Sequence, residues 1–282
     1  MRDFVFDGPS LDLGCGDGIF SFIRAGGEFD YSFDMFKSVS NLDKFFDKVD
    51  IYDHFDERLV NPVVTMRPDY VIDVALDHKE TLLKKSATLG LYKKLVPHDA
   101  NKPLPFEDDS FNTIFSNMLY WLDSPEAVFK EIKRILRPGG KAAIMLPNST
   151  FLEYSFYYKL YLKTKDPEWK WLERIDRGRI AENIKHAYDA KIWEESFKKA
   201  GLKVALHKQH LSKTVIEVWD IGLRPLFPVL HKMAGKLTES DRIEIKKEGI
   251  DLVLGLVEPL CSETWVTDKA YAPAFHYYLL TK

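Results

Sequence analysis

The eight residues Leu11-Asp12-Leu13-Gly14-Cys15-Gly16-Asp17-Gly18 constrain this chain more than any other stretch. An apolar run stops at a turn in which every second residue is glycine. Glycine enters positive φ without a Cβ clash and lets a ligand approach the backbone closely. Between a strand and a helix, such a turn builds a nucleotide-sized cradle. The spacing narrows the ligand. Gly14, Gly16 and Gly18 form G-x-G-x-G, and Ile19 stands where the dinucleotide fingerprint G-x-G-x-x-G needs its third glycine. Asp12, just ahead of the turn, is a poor neighbour for a pyrophosphate and a good one for a cationic ligand.

The rest of the first half supplies the sheet that such a turn requires. Leu11–Cys15 reads as a short buried strand and Ile19–Ala25 as a helix stopped by Gly26-Gly27. Short strands are expected at Phe29–Phe33 and Val63–Met66. Tyr70–Ala75, ending near Asp77, has the profile of a buried parallel strand. His78–Leu89 is amphipathic, with Leu82 and Leu83 on one face and Lys84 and Lys85 on another, and ends at Gly90. Lys94–Val96 and Phe111–Ser116 are strands. Pro125–Leu136 is a helix burying Ala127, Val128, Ile132, Ile135 and Leu136, and Lys141–Leu146 is the next strand. Strands alternating with helices argue for a parallel sheet covered on both faces. Further on, Ile192–Ala200 and Leu202–His207 form one more helix and strand. Residues 215–256 read as helical, interrupted by Pro225 and Pro228, and Phe275–Leu280 is a last strand.

Composition excludes several classes. The 282 residues are 45% hydrophobic, ample for a full core. A net charge of −3 is no global nucleic-acid signature. Cys15 and Cys261 make neither a disulfide framework nor a metal cluster, so no metal site is expected and a reduced, cytoplasmic setting fits. No apolar run reaches membrane-spanning length, and the first residues lack the layout of a signal peptide. Oligomeric state is not legible.

Three separated motifs agree in order and spacing: Asp12 to Gly18; His98-Asp-Ala-Asn-Lys-Pro-Leu-Pro-Phe106 with its continuation to Asn112; and Ile135-Leu-Arg-Pro-Gly-Gly140-Lys. Together they resemble the class I S-adenosylmethionine (SAM)-dependent methyltransferases, in the small-molecule and lipid branch. The resemblance covers residues 9–147 well and 185–210 and 270–282 loosely. It implies a doubly wound, Rossmann-like, mostly parallel sheet of seven strands with helical insertions. Residues 1–150 would be the SAM-binding core, interrupted at about 28–68. Residues 151–282 would hold the rest of the sheet, at about 190–210 and 270–282, with helical substrate-lid insertions at about 151–190 and 211–262. Few residues precede the first strand, so the covering over a substrate is expected from these insertions.

The resemblance also implies a site. SAM is the expected cofactor and S-adenosylhomocysteine the product. Asp12, Gly14, Cys15 and Gly16 would meet the cofactor's methionine end, with Asp12 and Asn117 beside its ammonium. Asp99 would accept from the adenine amino group and the Ala100 N–H would meet the ring. Two acids compete for the ribose. Asp34 lies at the usual interval after Gly14, but the helix, Gly90 and the distance on to Asp99 fit Asp77 better, which makes 28–68 an insertion. In-line methyl transfer draws mainly on orientation, so both ends of the cofactor must be gripped.

For the acceptor, Tyr120 and Trp121 follow Asn117. Arg177 and Arg179 suit anion recognition. Tyr188 could line the pocket and His186 could serve as general base. The same stretch also reads as a solvated helix whose arginines pair with Glu173, Asp176 and Glu182. Asn117-Met-Leu-Tyr does not match the Asn-Pro-Pro-Tyr/Phe of amino-methylating enzymes. The expectation is therefore methyl transfer to a small or lipid-like acceptor, at oxygen, with no nucleic acid partner. A tRNA or protein methyltransferase and a non-catalytic SAM-binding regulatory protein are the alternatives.

Overall fold

A computed structural model describes residues 4–33, 63–156, 160, 163–166, 185–223, 226, 230, 233–234, 236–262 and 271–282. Seven strands form one sheet: β1 (Ser10–Leu13), β2 (Ile72–Asp77), β3 (Tyr92–Pro97), β4 (Phe111–Ser116), β5 (Leu136–Pro147), β6 (Lys203–His210) and β7 (Phe275–Thr281). Their order is β3-β2-β1-β4-β5-β7-β6. The first five run parallel, and β7 is antiparallel to both β5 and β6. This is the doubly wound, mostly parallel seven-stranded sheet expected, with one antiparallel strand next to its β6 edge.

The sheet has a core on each face. Strand alternation decides which residue goes where. Leu11, Leu13, Ile114, Ile144 and Leu280 face one core, built with helices α3 (Pro125–Ile135) and α5 (Ala190–Ala200). Phe115, Ala143, Tyr277 and Leu279 face the other, where Phe22 of α1 (Ile19–Arg24) packs with Phe4 and Phe6. The Arg24 guanidinium lies 5.0–5.1 Å from the ring centres of Phe4, Phe6 and Phe115, which fastens the entering chain to this second core.

Helix α3 starts at Pro125 because Ser124 caps it, accepting the Ala127 N–H at 3.3 Å. Its buried stripe is Pro125, Val128, Phe129, Ile132 and Ile135. Ala127 is exposed, one position off that stripe, and Phe129 does the packing expected of it. Phe129 stands edge-on to Trp193 and Phe197 of α5, at 6.2 and 4.8 Å between ring centres. In helix α2 (Glu80–Ala87), Lys85 is buried with Leu83 rather than outward with Lys84. Strand β5 begins at Leu136, five residues earlier than expected, because Leu136 pairs with Phe111 before the register shifts at the Arg137–Gly140 turn.

Within 28–68 the described ends pair as a short antiparallel ribbon, Glu28–Phe29 with Val64–Met66. Phe29–Phe33 is not a strand throughout. It turns after Phe29, and Phe33 stacks back on Phe29 at 4.4 Å. Beyond β5 lie a short helix α4 (Thr150–Tyr154), α5, α6 (Lys213–Glu217) running into a wider turn at Val218–Leu223, and α7 (Glu239–Ser262). No helix among the described residues is long and apolar enough to cross a membrane.

Candidate functional site

Parallel register brings the carboxyl ends of β1 to β4 to one edge: Leu13 pairs with Leu76, Asp77 with Pro97, and Asp12 with Phe115. The chain winds from β1 towards β2 and β3 on one side and takes up β4 on the other. The crevice at this reversal is where open α/β sheets bind ligands.

The glycine turn is tied to the end of β2 by backbone and side chain. The N–H groups of Gly14 and Cys15 both donate to the Leu76 carbonyl, at 2.7 and 3.1 Å. The Gly16 N–H donates to Asp77 Oδ2 at 2.9 Å. Gly14 and Gly16 have φ of 76° and 58°, which an L side chain rarely adopts. A Cβ on Gly14 would also sit 2.0 Å from Met118 Cγ, so Met118 fills that side of the turn. Nothing lies within 4 Å of a Cβ placed on Gly16, so the turn is open there.

Asp77, 6% exposed, ends β2. Its Oδ1 accepts the Lys79 N–H at 2.9 Å, and His78 Nδ1 is 3.5 Å from the same oxygen. Each oxygen of this carboxylate keeps acceptor capacity, since a carboxylate offers about four lone-pair sites. Its rival Asp34 lies outside the described residues, as do Arg177 and Arg179.

Asp12 lies within β1. It is the third of four residues in β1, so its side chain faces α1 rather than the edge of the sheet. It is 1% exposed, and the Tyr92 hydroxyl donates to its Oδ2 at 2.7 Å. Burial raises its pKa to about 6, against the Ser21 and Tyr92 hydrogen bonds that lower it. This carboxyl is enclosed just ahead of the glycine turn. Cys15 is buried too, and burial pushes its thiol pKa well up.

Asp99 follows β3 in an exposed turn. Its Oδ1 accepts from the Asn101 N–H and side-chain amide at 2.9 and 3.1 Å. Those donors, the backbone one first, hold its pKa below the ordinary carboxylate value. Ala100 is buried beside it. Asn101 Oδ1 in turn accepts the Asp123 N–H at 2.8 Å, joining this turn to the loop after β4. That loop starts at Asn117, which is half-buried, and carries Met118, Tyr120 and Trp121. Tyr120 is buried, 5.2 Å from the ring of Trp121, which is 44% exposed.

Segment 185–189 closes on the other side of the same loop. Lys185 pairs with Asp123. His186 Nε2 lies 3.0 Å from the Leu122 carbonyl and His186 Nδ1 lies 2.8 Å from the Tyr188 hydroxyl. Both ring nitrogens are therefore engaged, which bears on the expectation that His186 acts as a free base. Tyr188 packs against Trp193, 4.9 Å between ring centres. Its carbonyl lies 3.3 Å from His276 Nε2, and His276 Nδ1 lies 3.0 Å from His207 Nε2. No spacing pointed to His276 or His207, since β7 reaches the site only through its pairing with β5. Burial lowers His276 to about 4 and also lowers His207. Among the described residues, no cluster of His, Cys, Asp and Glu is arranged to hold a metal ion.

Residues 69–144 match the family described as a methyltransferase domain, a span that runs from β2 into β5 and takes in Asp77, Asp99 and Asn117. No curated protein sequence matches this one. Among solved structures, the chain is similar to a SAM-dependent methyltransferase from Mesorhizobium loti, with 13% identity, a TM-score of 0.48, and 100% of this chain and 94% of that one covered. It is also similar to a SAM-dependent methyltransferase from Thermotoga maritima, with 18% identity, a TM-score of 0.42, and coverage of 74% and 71%. The matched span is thus similar to a methyltransferase domain and lies within the doubly wound sheet described above.

Proposed function

We propose that this enzyme transfers a methyl group from SAM to the oxygen of a small or lipid-like acceptor, with Asp77 as the ribose-binding acid. The bond from the Gly16 N–H to Asp77 carries this reading, because it joins the glycine turn and the acid after β2 into one cradle. The two Asp77 oxygens already accept from Gly16 and Lys79 and so are fixed in direction. Their remaining lone pairs suit the two hydroxyls of a ribose. The open side of Gly16 leaves room for a ligand chain to lie on the turn.

Asp99, kept ionised by Asn101, and the backbone of Ala100 would take the adenine edge. Gly14, Cys15 and Asn117 would take the methionine end through the turn and the end of β4, with Asp12 as their support. When bound, SAM supplies an electrophilic methyl on a sulfonium. The chain's part is to hold the two ends of the cofactor and the acceptor in line, and orientation of this kind contributes most of such a rate enhancement. Tyr120 and Trp121 on the loop after β4, with Tyr188 joined to that loop through His186, would face the acceptor. The half-exposed Trp121 ring offers an apolar face to a small or lipid-like molecule. Residues 151–190 and 211–262 would supply the covering.

Calorimetry with SAM and S-adenosylhomocysteine tests the cofactor; absence of binding by both at millimolar concentration contradicts the reading. Labelled methyl transfer from SAM into the small-molecule and lipid fractions of a cell extract tests the acceptor. Label recovered in RNA or protein instead overturns the acceptor class while leaving the cofactor intact.

A further inference from the structure

The contacts of His186 and Tyr188 have a direction. A carbonyl oxygen only accepts, so the Leu122 carbonyl at 3.0 Å fixes the proton of the His186 ring on Nε2. The lone pair is then on Nδ1, and the Tyr188 hydroxyl at 2.8 Å must be its donor. The same logic orders the next links. The Tyr188 carbonyl fixes a proton on His276 Nε2, leaving His276 Nδ1 to accept from His207 Nε2. The chain of donors runs from β6 through β7 and segment 185–188 to the loop after β4.

We propose that Tyr188 is the catalytic residue that takes the acceptor's proton, and that His186 is the positioning base behind it. This rests on the reading above that the acceptor is a hydroxyl. As the acceptor oxygen forms its bond to the methyl, the methyl–sulfur bond breaks, its electron pair returns to sulfur to leave S-adenosylhomocysteine, and the acceptor's proton passes to Tyr188 Oη. The Tyr188 proton passes in the same movement to His186 Nδ1. Tyr188 ends neutral and His186 ends as an imidazolium whose Nε2–H still donates to Leu122. The Leu122 carbonyl thus serves both states of the ring: it sets the productive tautomer before transfer and stabilises the cation after it. His186 alone does not fill the role, because its only basic nitrogen is already occupied by the phenol.

The placement agrees with this task. The loop 117–123 is bonded to the Asp99 turn through Asn101 on one side and to segment 185–188 on the other. The pair therefore stands beside the same loop that carries Asn117 and Trp121. The charged and titratable groups around it are Asp123 and Lys185 on the loop and segment, Asp189 next in the chain, and His276 from β7. Burial lowers the pKa of His276 to about 4, which leaves Asp123, Lys185 and Asp189 as the charged groups of this segment.

Two measurements decide it. Nitrogen-15 spectra of the His186 ring, in the enzyme saturated with S-adenosylhomocysteine, should show the Nε2–H tautomer, and the Nδ1 signal should move in Tyr188→Phe. Steady-state kinetics with the hydroxylated acceptor found by labelled transfer should show kcat falling about 100-fold or more in Tyr188→Phe, with the Kd for SAM unchanged. In His186→Gln, whose amide still donates to Leu122, the acid limb of the kcat profile should disappear. An Nδ1–H tautomer, or a kcat within twofold of wild type with an unchanged pH profile in both variants, overturns the proposal. If SAM binds while these signs are absent, only this proposal falls; if SAM does not bind, the cofactor reading falls first.

Discussion

The two flanks of the crevice are held by different means. On the β2–β3 side, backbone amides do the work: Gly14 and Cys15 donate to Leu76, Gly16 to Asp77, and His98 to the Asp77 carbonyl. On the far side, side chains supply the donors: His207 to His276, His276 to the Tyr188 carbonyl, the Tyr188 hydroxyl to His186, and His186 to the Leu122 carbonyl. A backbone lattice depends on few side chains and presents one geometry. A side-chain relay can be re-formed by substitution without unfolding the sheet. The first suits a cofactor shared across a family, and the second suits an acceptor that differs between members.

Both flanks rest on one core, and breaking that core should abolish the distinction. Phe129→Ala removes the ring that α3 places against Trp193 and Phe197. A loss of about 3–5 kcal/mol in denaturant unfolding is expected. A loss below about 1 kcal/mol would show that α5 is not packed on α3.

Titration separates the flanks, because their buried groups shift in opposite senses. Asp12 rises from 3.8 to about 6, so the folded state holds a proton that the unfolded state has released. Its contribution is complete below about pH 4 and is lost as pH rises through 6. Asp12→Asn keeps an acceptor for Tyr92 and needs no proton. Relative to wild type it should gain up to about 3 kcal/mol above pH 6 and nothing near pH 4, read from urea midpoints. His276 falls from 6.5 to about 4, so the unfolded state binds the extra proton. Its stabilisation is present above 6.5 and is lost as pH falls towards 4. His276→Gln should flatten that acid-side loss by on the order of 1–2 kcal/mol. Curves that shift in the same direction for both variants would contradict the contrast.

The smallest effect is local. Asp189 caps α5 by accepting the Ile192 N–H at 3.0 Å. Asp189→Ala should cost about 1 kcal/mol in stability and leave SAM affinity unchanged. A change in SAM affinity would mean that the two flanks are coupled more tightly than their bonding suggests.

The β2–β3 flank was far more legible in sequence than the far flank. Its elements follow one another as strand, turn and helix, and period-2 and period-3.6 patterns report such local order directly. The preference for Asp77 over Asp34 came from the helix, Gly90 and Asp99 downstream, all of which depend on short-range spacing. For Asp12, its type and position beside the turn were visible but its partner was not. Tyr92 lies 80 residues away and meets it only once β1, β2 and β3 are aligned. The His276 and Tyr188 contact spans 88 residues and crosses an antiparallel strand pair. Ala127 was misplaced by one position in the helical stripe, which small apolar residues do not mark strongly.

Calorimetric titration of SAM into Asp77→Asn and Asp34→Asn tests the central claim most directly. Asn at 77 can still accept the Gly16 N–H, so the turn stays in place while one charged acceptor is lost. The Asp77 variant should bind SAM at least about thirtyfold more weakly, roughly 2 kcal/mol, and the Asp34 variant within twofold of wild type. Weakening confined to the Asp34 variant would contradict the assignment of Asp77 to the ribose.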